Sequence, residues 1–217
     1  MAKLQLTSQK FNETGIRLRE EGDFSAAAYA FLGAQRLGDG SEKTIINIAD
    51  CFNRAHDHQA ALDAIKPLIA LGTGSSEAYW HCGMINASLH NHLVARDMFQ
   101  ESVNRAQKDY EAARAHFYLA DNEKHLENFD KAVSEFRESI RLNPKSKVAY
   151  QYLASLLQAL GRHDEALEVE KTAEAAQIPE AEGPEVGESS ADAAAANPAH
   201  MLEPMGQGGL EGAEGPE

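Results

Sequence analysis

One amphipathic segment is written twice in this chain, and that repetition constrains its fold more than any other feature. Residues 24–39 read FSAAAYAFLGAQRLGD and residues 129–144 read FDKAVSEFRESIRLNP, with Phe, Ala, Phe, Arg and Leu at the same five places. The two segments lie three periods of 34 residues apart, with three residues left over. A period of this length is typical of helix–turn–helix solenoids. The sequence therefore predicts an all-α fold of repeated helical hairpins.

Alignment on this period divides most of the chain into five units. They start at Ser8, Glu42, Ser76, Ala113 and Lys147, with Tyr110, Glu111 and Ala112 as the extra residues. We predict an N-terminal lead-in over residues 1–7, a solenoid over residues 8–179 and an acidic tail over residues 180–217.

Small residues recur at two positions of every unit. Position 20 is Ala27, Ala61, Ala95, Ala132 and Ala166, and position 8 is Gly15, Ala49, Gly83, Ala120 and Ala154. Two helices cross closely only where both lack bulk, so these positions predict the contact between the two helices of a unit.

Two further positions support the same alignment. Position 24 is large and apolar in the first four units, as Phe31, Ile65, Phe99 and Phe136, which predicts the inward stripe of each second helix. Position 16 is Asp23, Asp57, Asn91 and Asn128 in the same units, and these side chains are predicted to cap the second helix.

This pattern resembles the tetratricopeptide repeat family. The resemblance rests on small positions 8 and 20, the aromatic residue at position 24, Gly22 and Gly161 at position 15, and Pro144 at position 32. It implies a right-handed solenoid of about five units, whose first helices form a concave wall that binds a peptide or helix of a partner protein. The chain departs from the family pattern at position 11, where Asn86 and Glu123 are polar.

The resemblance also implies which residues face the partner, because the family lines its wall from fixed positions of the first helix. Carried over residue by residue, the partner-binding candidates are Asn12, Ile46, Asn47, Asp50, Trp80, Met84, Arg114, Phe117, Lys124 and Gln151. Ile46, Trp80, Met84 and Phe117 are predicted to form an exposed apolar centre, with Trp80 as an anchor. The alternative is that Trp80 packs against the second helix of its own unit.

One specific family activity is not supported by the residues. Members that grip the carboxylate tail of heat-shock chaperones use a set of Lys, Asn and Arg side chains from three successive units. In the frame that starts at the first unit, those positions hold Asn12, Ile16, Asn47, Glu77 and His81, and in the frame that starts at the second unit they hold Ile46, Asp50, His81, Arg114 and Tyr118. The cationic clamp is therefore not assembled.

Composition excludes other classes of protein. The chain holds 20 Lys and Arg against 34 Asp and Glu, a net charge of −14, which argues against binding duplex nucleic acid because phosphates need a basic face. No apolar run approaches the length of a membrane span, and the N-terminus lacks a secretory leader, so we expect a cytoplasmic protein. No catalytic constellation, cofactor motif or paired cysteine motif is present, which predicts no enzyme activity and no cofactor.

Two histidine-rich turns are the remaining chemical feature. His56 and His58 occupy positions 15 and 17 of the second unit, and His90 and His92 occupy the same positions of the third. Four imidazoles near one edge would suit Zn, Ni or Cu, which gives a metal-responsive protein as one alternative. The other interpretation is structural, because histidine tolerates a left-handed turn better than most residues.

The acidic tail is predicted to be disordered. It holds nine acidic residues, no Lys or Arg and no aromatic residue, so it cannot bury enough apolar surface to fold. Residues 199–205, AHMLEPM, form its one apolar cluster and could visit the wall in competition with the partner.

These observations together predict a non-enzymatic scaffold or adaptor that binds a protein partner. Small acidic proteins resembling this one also serve type III secretion, so a chaperone for a secreted or assembled protein is an alternative. The sequence leaves the partner and the oligomeric state open.

Overall fold

The computed structural model describes residues 2–176, with side chains from residue 7 onward, as ten α-helices and no strand. The helices are α1 (Ala2–Glu20), α2 (Phe24–Arg36), α3 (Glu42–Arg54), α4 (His58–Ala70), α5 (Ser76–Ser88), α6 (His92–Arg105), α7 (Asp109–His125), α8 (Phe129–Leu142), α9 (Lys147–Ala159) and α10 (His163–Ala175). The predicted acidic tail lies outside the described residues. None of the helices between residues 2 and 176 is both long and apolar enough to cross a membrane.

The helices stack in chain order. Each helix packs against the next one, and the first helices also contact each other across units, α3 with α5 and α5 with α7. A single hairpin cannot bury its own apolar face, so each hairpin covers its neighbour. The predicted all-α solenoid of five helical hairpins is confirmed.

The starts of the first helices can be compared with the unit starts that the 34-residue period predicts. Helices α3, α5 and α9 begin at Glu42, Ser76 and Lys147. Helix α1 begins at Ala2, ahead of Ser8, so residues 2–7 are helical. Helix α7 begins at Asp109, so the three extra residues of the fourth unit lengthen this helix instead of forming a loop.

The core is built from the repeated positions. All five alanines at position 20 and all four large residues at position 24 are at most 1% exposed. A Cβ atom on Gly15 would lie 2.8 Å from the Phe31 ring, and one on Gly83 would lie 2.6 Å from the Phe99 ring. In these two units the small residue at position 8 therefore makes room for the ring at position 24. The sequence pattern predicts only its contact with the helix that carries the alanine at position 20.

Every first helix ends in the same left-handed turn. Position 15 has a positive φ in all five units: Gly22 (84°), His56 (62°), His90 (59°), Glu127 (60°) and Gly161 (73°). In the second unit the His56 N–H donates to the Asn53 carbonyl at 3.0 Å and the Asp57 N–H donates to the Phe52 carbonyl at 2.9 Å. This pair of bonds is the Schellman motif, which satisfies the last carbonyls of the helix.

Glycine at the three non-glycine turns is expected to stabilise the chain. Each of His56→Gly, His90→Gly and Glu127→Gly should raise the free energy of unfolding by roughly 0.5–1 kcal/mol, because a left-handed conformation strains a residue that carries a Cβ. Urea unfolding measures the effect. Gln100→Gly in the exposed face of α6 is the control and should lose stability, and a loss at all three turns would contradict the prediction.

The predicted caps at position 16 are only half correct. The carboxylates of Asp23 and Asp57 accept from the N–H groups of Ala26 and Ala60, at 2.9 Å and 3.1 Å. Asn91 and Asn128 make no such bond. The Asn128 amide instead donates to the Glu123 carboxylate at 2.6 Å. An amide that donates to a buried carboxylate is held away from the helix N-terminus.

Candidate functional site

The first helices of successive units share one continuous row of side chains, which we call the first-helix wall. His81 of α5 lies 3.8 Å from the Asp50 carboxylate of α3. The Arg114 guanidinium of α7 lies 4.1 Å from the centre of the Trp80 ring of α5. The Phe117 ring of α7 lies 4.9 Å from the Tyr152 ring of α9. The wall therefore runs without interruption from α3 to α9.

At the N-terminal end of the wall, hydrogen bonds hold α1 both to the second unit and to the end of its own unit. The Arg19 guanidinium donates to the Asn47 side-chain oxygen at 3.0 Å, and the Asn12 amide donates to the Asp39 carboxylate at 2.5 Å. Burial raises the pKa of Asp39, but hydrogen bonds from Ser41, Asn12 and Thr44 outweigh it and lower the pKa to about 2. The predicted partner residues are thus already engaged, Asn47 with Arg19 of the first unit and Asn12 with Asp39 of its own unit.

The centre of the wall differs from the prediction. Ile46 is 6% exposed and Trp80 is 3% exposed, so the expectation that both are exposed is wrong. Ile46 is covered because α3 packs against α2, α4 and α5. Trp80 belongs to a buried cluster with Ala95 and Phe99 of α6, as the alternative interpretation held.

Helix α7 completes the cover over Trp80. The Tyr118 ring lies 5.3 Å from the Trp80 ring, and the Arg114 guanidinium lies across its face. The attraction between a guanidinium and an indole face favours this arrangement. Trp80 therefore meets a partner only through its edge or after its cover moves.

The other predicted wall residues remain accessible in part. Met84 and Phe117 are half-buried, and Gln151 is exposed. The Lys124 ammonium binds the Asp121 carboxylate at 2.7 Å and lies 5.7 Å from the Tyr152 ring. The open part of the wall therefore combines polar groups with the edges of aromatic rings.

A buried polar cluster occupies the centre of the wall. Asp50 and His81 are each 7% exposed, and the Arg54 Nε lies 3.5 Å from the Asp50 carboxylate. Burial lowers the pKa of His81, and the positive charges of Arg114 and Arg54 act in the same direction, while Asp50 and Glu77 oppose it. Arg54 and His81 are absent from the predicted site. The spacing of Asp50 and Arg54, four residues apart on one helix, is the signal that could have found the pair.

Acid is expected to destabilise the fold through His81. Its pKa is lowered, so the folded chain favours the neutral ring, and this contribution is fully present above the unfolded pKa of about 6.5. It is lost as the pH falls through the folded value, because the unfolded chain then binds more protons. Urea unfolding at about pH 7 and about pH 5 should show a weaker pH dependence for His81→Gln than for the unsubstituted chain. His163→Gln, on the exposed surface, is the control, and equal pH dependence in all three proteins would contradict the prediction.

The histidine turns do not assemble the four-imidazole group. The His56 and His58 rings lie 5.9 Å apart and the His90 and His92 rings 6.0 Å apart, in edge-to-face arrangements. His92 is engaged with α7 instead, through its Nδ1 at 3.0 Å from the Asn122 side-chain oxygen. Within residues 2–176, no group of three or more His, Cys, Asp or Glu side chains is placed to hold a metal ion. The positive φ of His56 and His90 agrees with the structural interpretation of these turns.

The two cysteines are packed thiols. Cys51 and Cys82 are free and buried. Burial raises the pKa of Cys51 to about 12 and that of Cys82 to about 11. Because the thiolate is the reactive form, neither side chain is activated as a nucleophile.

The fold and the wall define a helical-repeat protein of the kind that holds other proteins. The sequence model of the tetratricopeptide repeat matches residues 113–146, which span α7 and α8, and a second tetratricopeptide model matches residues 135–168. Residues 113–168 therefore match tetratricopeptide repeats, and proteins that carry such repeats generally serve as scaffolds for protein–protein interaction. No curated protein matches its sequence.

Solved structures share the same fold. A crystal structure of MamA is 23% identical and superposes with a TM-score of 0.65, covering 82% of this chain and 98% of that one. MamA from Desulfovibrio magneticus RS-1 is 16% identical with a TM-score of 0.67, covering 79% and 95%. PilF from Pseudomonas aeruginosa is 15% identical with a TM-score of 0.70, covering 82% and 79%. At these identities the likeness extends to the fold alone.

Proposed function

We propose that this protein is a non-enzymatic scaffold that holds an extended segment or helix of a partner protein along the first-helix wall. The observation that supports the proposal is the continuity of the wall. Side chains of α3, α5, α7 and α9 contact each other across three successive boundaries between units. An extended segment laid along the accessible part of this wall would meet side chains of α5, α7 and α9, from three units at once.

The accessible residues of the wall suit such a partner. Met84 and Phe117 offer apolar contact, while Lys124 and Gln151 offer hydrogen-bond donors. Interfaces commonly combine a few apolar anchors with a polar rim. A chaperone for a secreted or assembled protein would use the same wall and is the narrower form of this proposal.

The test compares two matched sets of substitutions. Met84→Ala, Lys124→Ala and Gln151→Ala alter one apolar side chain, one cation and one amide on the wall. Leu93→Ala, Arg96→Ala and Gln100→Ala alter the same three chemical types on α6, away from the wall. Both proteins are first shown to be folded by circular dichroism.

Affinity capture from an extract of the source cells, read by mass spectrometry, then supplies the result. The proposal is supported if a protein captured by the unsubstituted chain is lost with the wall variant and is still captured by the α6 variant. Recovery of identical proteins by both variants and by the unsubstituted chain contradicts it.

A further inference from the structure

Three buried hydrogen-bond donors on the first-helix wall have no partner. They are the Arg54 Nη2, the Trp80 Nε1 and the Arg114 Nε, on α3, α5 and α7. The great majority of buried polar groups in proteins are hydrogen-bonded, and an unpaired one is destabilising. Among the residues the structure describes, these three are the buried side-chain donors or acceptors without a bond.

The three donors belong to one cluster. Arg114 lies on the face of the Trp80 ring, and the Trp80 and His81 rings are 4.6 Å apart. His81 lies 3.8 Å from Asp50, which in turn lies 3.5 Å from the Arg54 Nε. The unpaired N–H groups therefore come from three successive units and border the same buried cluster.

The cluster lacks an anion for one of its cations. The Asp50 carboxylate forms an ion pair with Arg54, whereas Arg114 forms no ion pair within residues 7–176. His81 supplies no negative charge, because an imidazole ring is either neutral or positively charged, and its lowered pKa favours the neutral form. A partly buried guanidinium without a carboxylate is unfavourable unless a negative group is brought to it.

We propose that the donors of Arg54, Trp80 and Arg114, once the cover over Trp80 moves, bind side-chain carboxylates of an acidic, extended segment of the partner protein. A carboxylate carries only acceptors and takes charge-assisted hydrogen bonds from guanidinium groups, so it matches three unpaired donors. A basic segment would be repelled by the same cations. The inference rests on the proposed function, since it names the chemistry of the partner that the wall holds.

The donor set differs from the chaperone-tail clamp of the family. That clamp would use the positions of Ile46, Asp50, His81, Arg114 and Tyr118, where Asp50 and Ile46 offer no donor. Arg54 and Trp80 lie outside it. The carboxylate site is therefore defined by the three unpaired atoms of this chain.

Trp80 provides a direct readout, because it is the single tryptophan of the chain. The full-length protein is titrated with a capped peptide of alternating glutamate and alanine while the fluorescence of Trp80 is recorded. A peptide with glutamine in place of glutamate is the matched probe. We expect a saturable emission change with the glutamate peptide and at least about tenfold weaker binding of the glutamine peptide, since a charge-assisted hydrogen bond contributes about that factor.

Substitution separates binding from structure. Arg114→Gln should weaken the glutamate peptide by at least about tenfold, whereas Arg96→Gln on α6 should leave it unchanged. In the absence of peptide, Arg114→Met should melt at the same temperature as the unsubstituted chain or higher, because it removes an unpaired buried donor. A lower melting temperature for Arg114→Met, with peptide binding retained by Arg114→Gln, would show that Arg114 only covers Trp80 and would overturn the proposal.

The remaining outcomes are also decisive. No saturable change with the glutamate peptide overturns the proposal. Equal binding of both peptides, lost in the Met84, Lys124 and Gln151 variant, leaves the scaffold function standing and rejects the acidic partner. A full-length variant with the nine acidic residues of 180–217 changed to glutamine tests the chain's own acids. If the glutamate peptide binds only to that variant, the acidic tail of the unsubstituted chain occupies the site. That result would overturn the assignment of the site to a partner.

Discussion

Replacing Lys131 by methionine is expected to lower the free energy of unfolding by about 3 kcal/mol. The Glu123 side chain is fully buried, at 0% exposure, and its two oxygens accept from the Lys131 ammonium and the Asn128 amide. Lys131→Met leaves this carboxylate buried with a single neutral donor. The Lys131 side chain is itself half-exposed, so the loss arises from the Glu123 charge, which stays buried without a cation. Urea unfolding of the full-length chain measures the loss.

A double variant shows whether the charge itself is responsible. Glu123→Met combined with Lys131→Met should recover most of the lost stability, since apolar residues of similar volume often replace a buried ion pair without loss. Lys145→Met, at an exposed lysine, is the control and should change stability by less than about 0.5 kcal/mol. An effect of Lys131→Met no larger than that of Lys145→Met would show that the pair contributes nothing.

The hairpin architecture was accessible from the sequence because its determinants are local and repeated. Alanine at position 20 of every unit and a large residue at position 24 of the first four specify the same packing, so a single period of 34 residues predicts the helical pairs. The extents of α1 and α7 were less accessible. A repeat period marks where units correspond, and it carries no information on how far a helix continues beyond the shared positions, as at Ala2 and Asp109.

The sequence could predict which positions form the wall, but it could not predict which of their side chains are exposed. Its periodicity places Trp80 on the first helix of the third unit, but its exposure depends on the residues that the fourth unit brings over it. Arg114 and Tyr118 supply that cover, and they come from the lengthened helix α7. Burial of Trp80 is therefore set by packing between units, which a single position in a repeat does not encode.

The predicted cap at Asn128 failed for a related reason. Aspartate and asparagine are both good capping residues, and the two aspartates do cap their helices. Asn128 lies beside Glu123, whose buried carboxylate attracts its amide more strongly than the helix attracts its oxygen. In the fourth unit the polar residue at position 11 therefore changes the role of position 16, and that coupling is visible only once both helices are in place.

Gly83→Ala is expected to lower the free energy of unfolding by about 2 kcal/mol. Alanine in place of glycine normally favours a helix interior by roughly 1 kcal/mol, so a loss requires a steric cause. That cause is the Phe99 ring, which would lie 2.6 Å from the added Cβ and is itself 1% exposed. A buried ring in a close-packed core has little room to move, so the clash shifts α5 away from α6.

A mutant cycle with Phe99→Leu identifies the clash. In the Phe99→Leu background the cost of Gly83→Ala should fall below about 0.5 kcal/mol, because leucine removes the ring atoms that the new Cβ meets. Gly40→Ala is the control, since a Cβ there meets nothing within 4 Å and the residue does not have a positive φ. An equal cost of Gly83→Ala in both backgrounds would mean that α5 is kept close to α6 by contacts other than the ring. If the cost disappears with the ring, the small residue at position 8 and the aromatic residue at position 24 act as one determinant of the repeat.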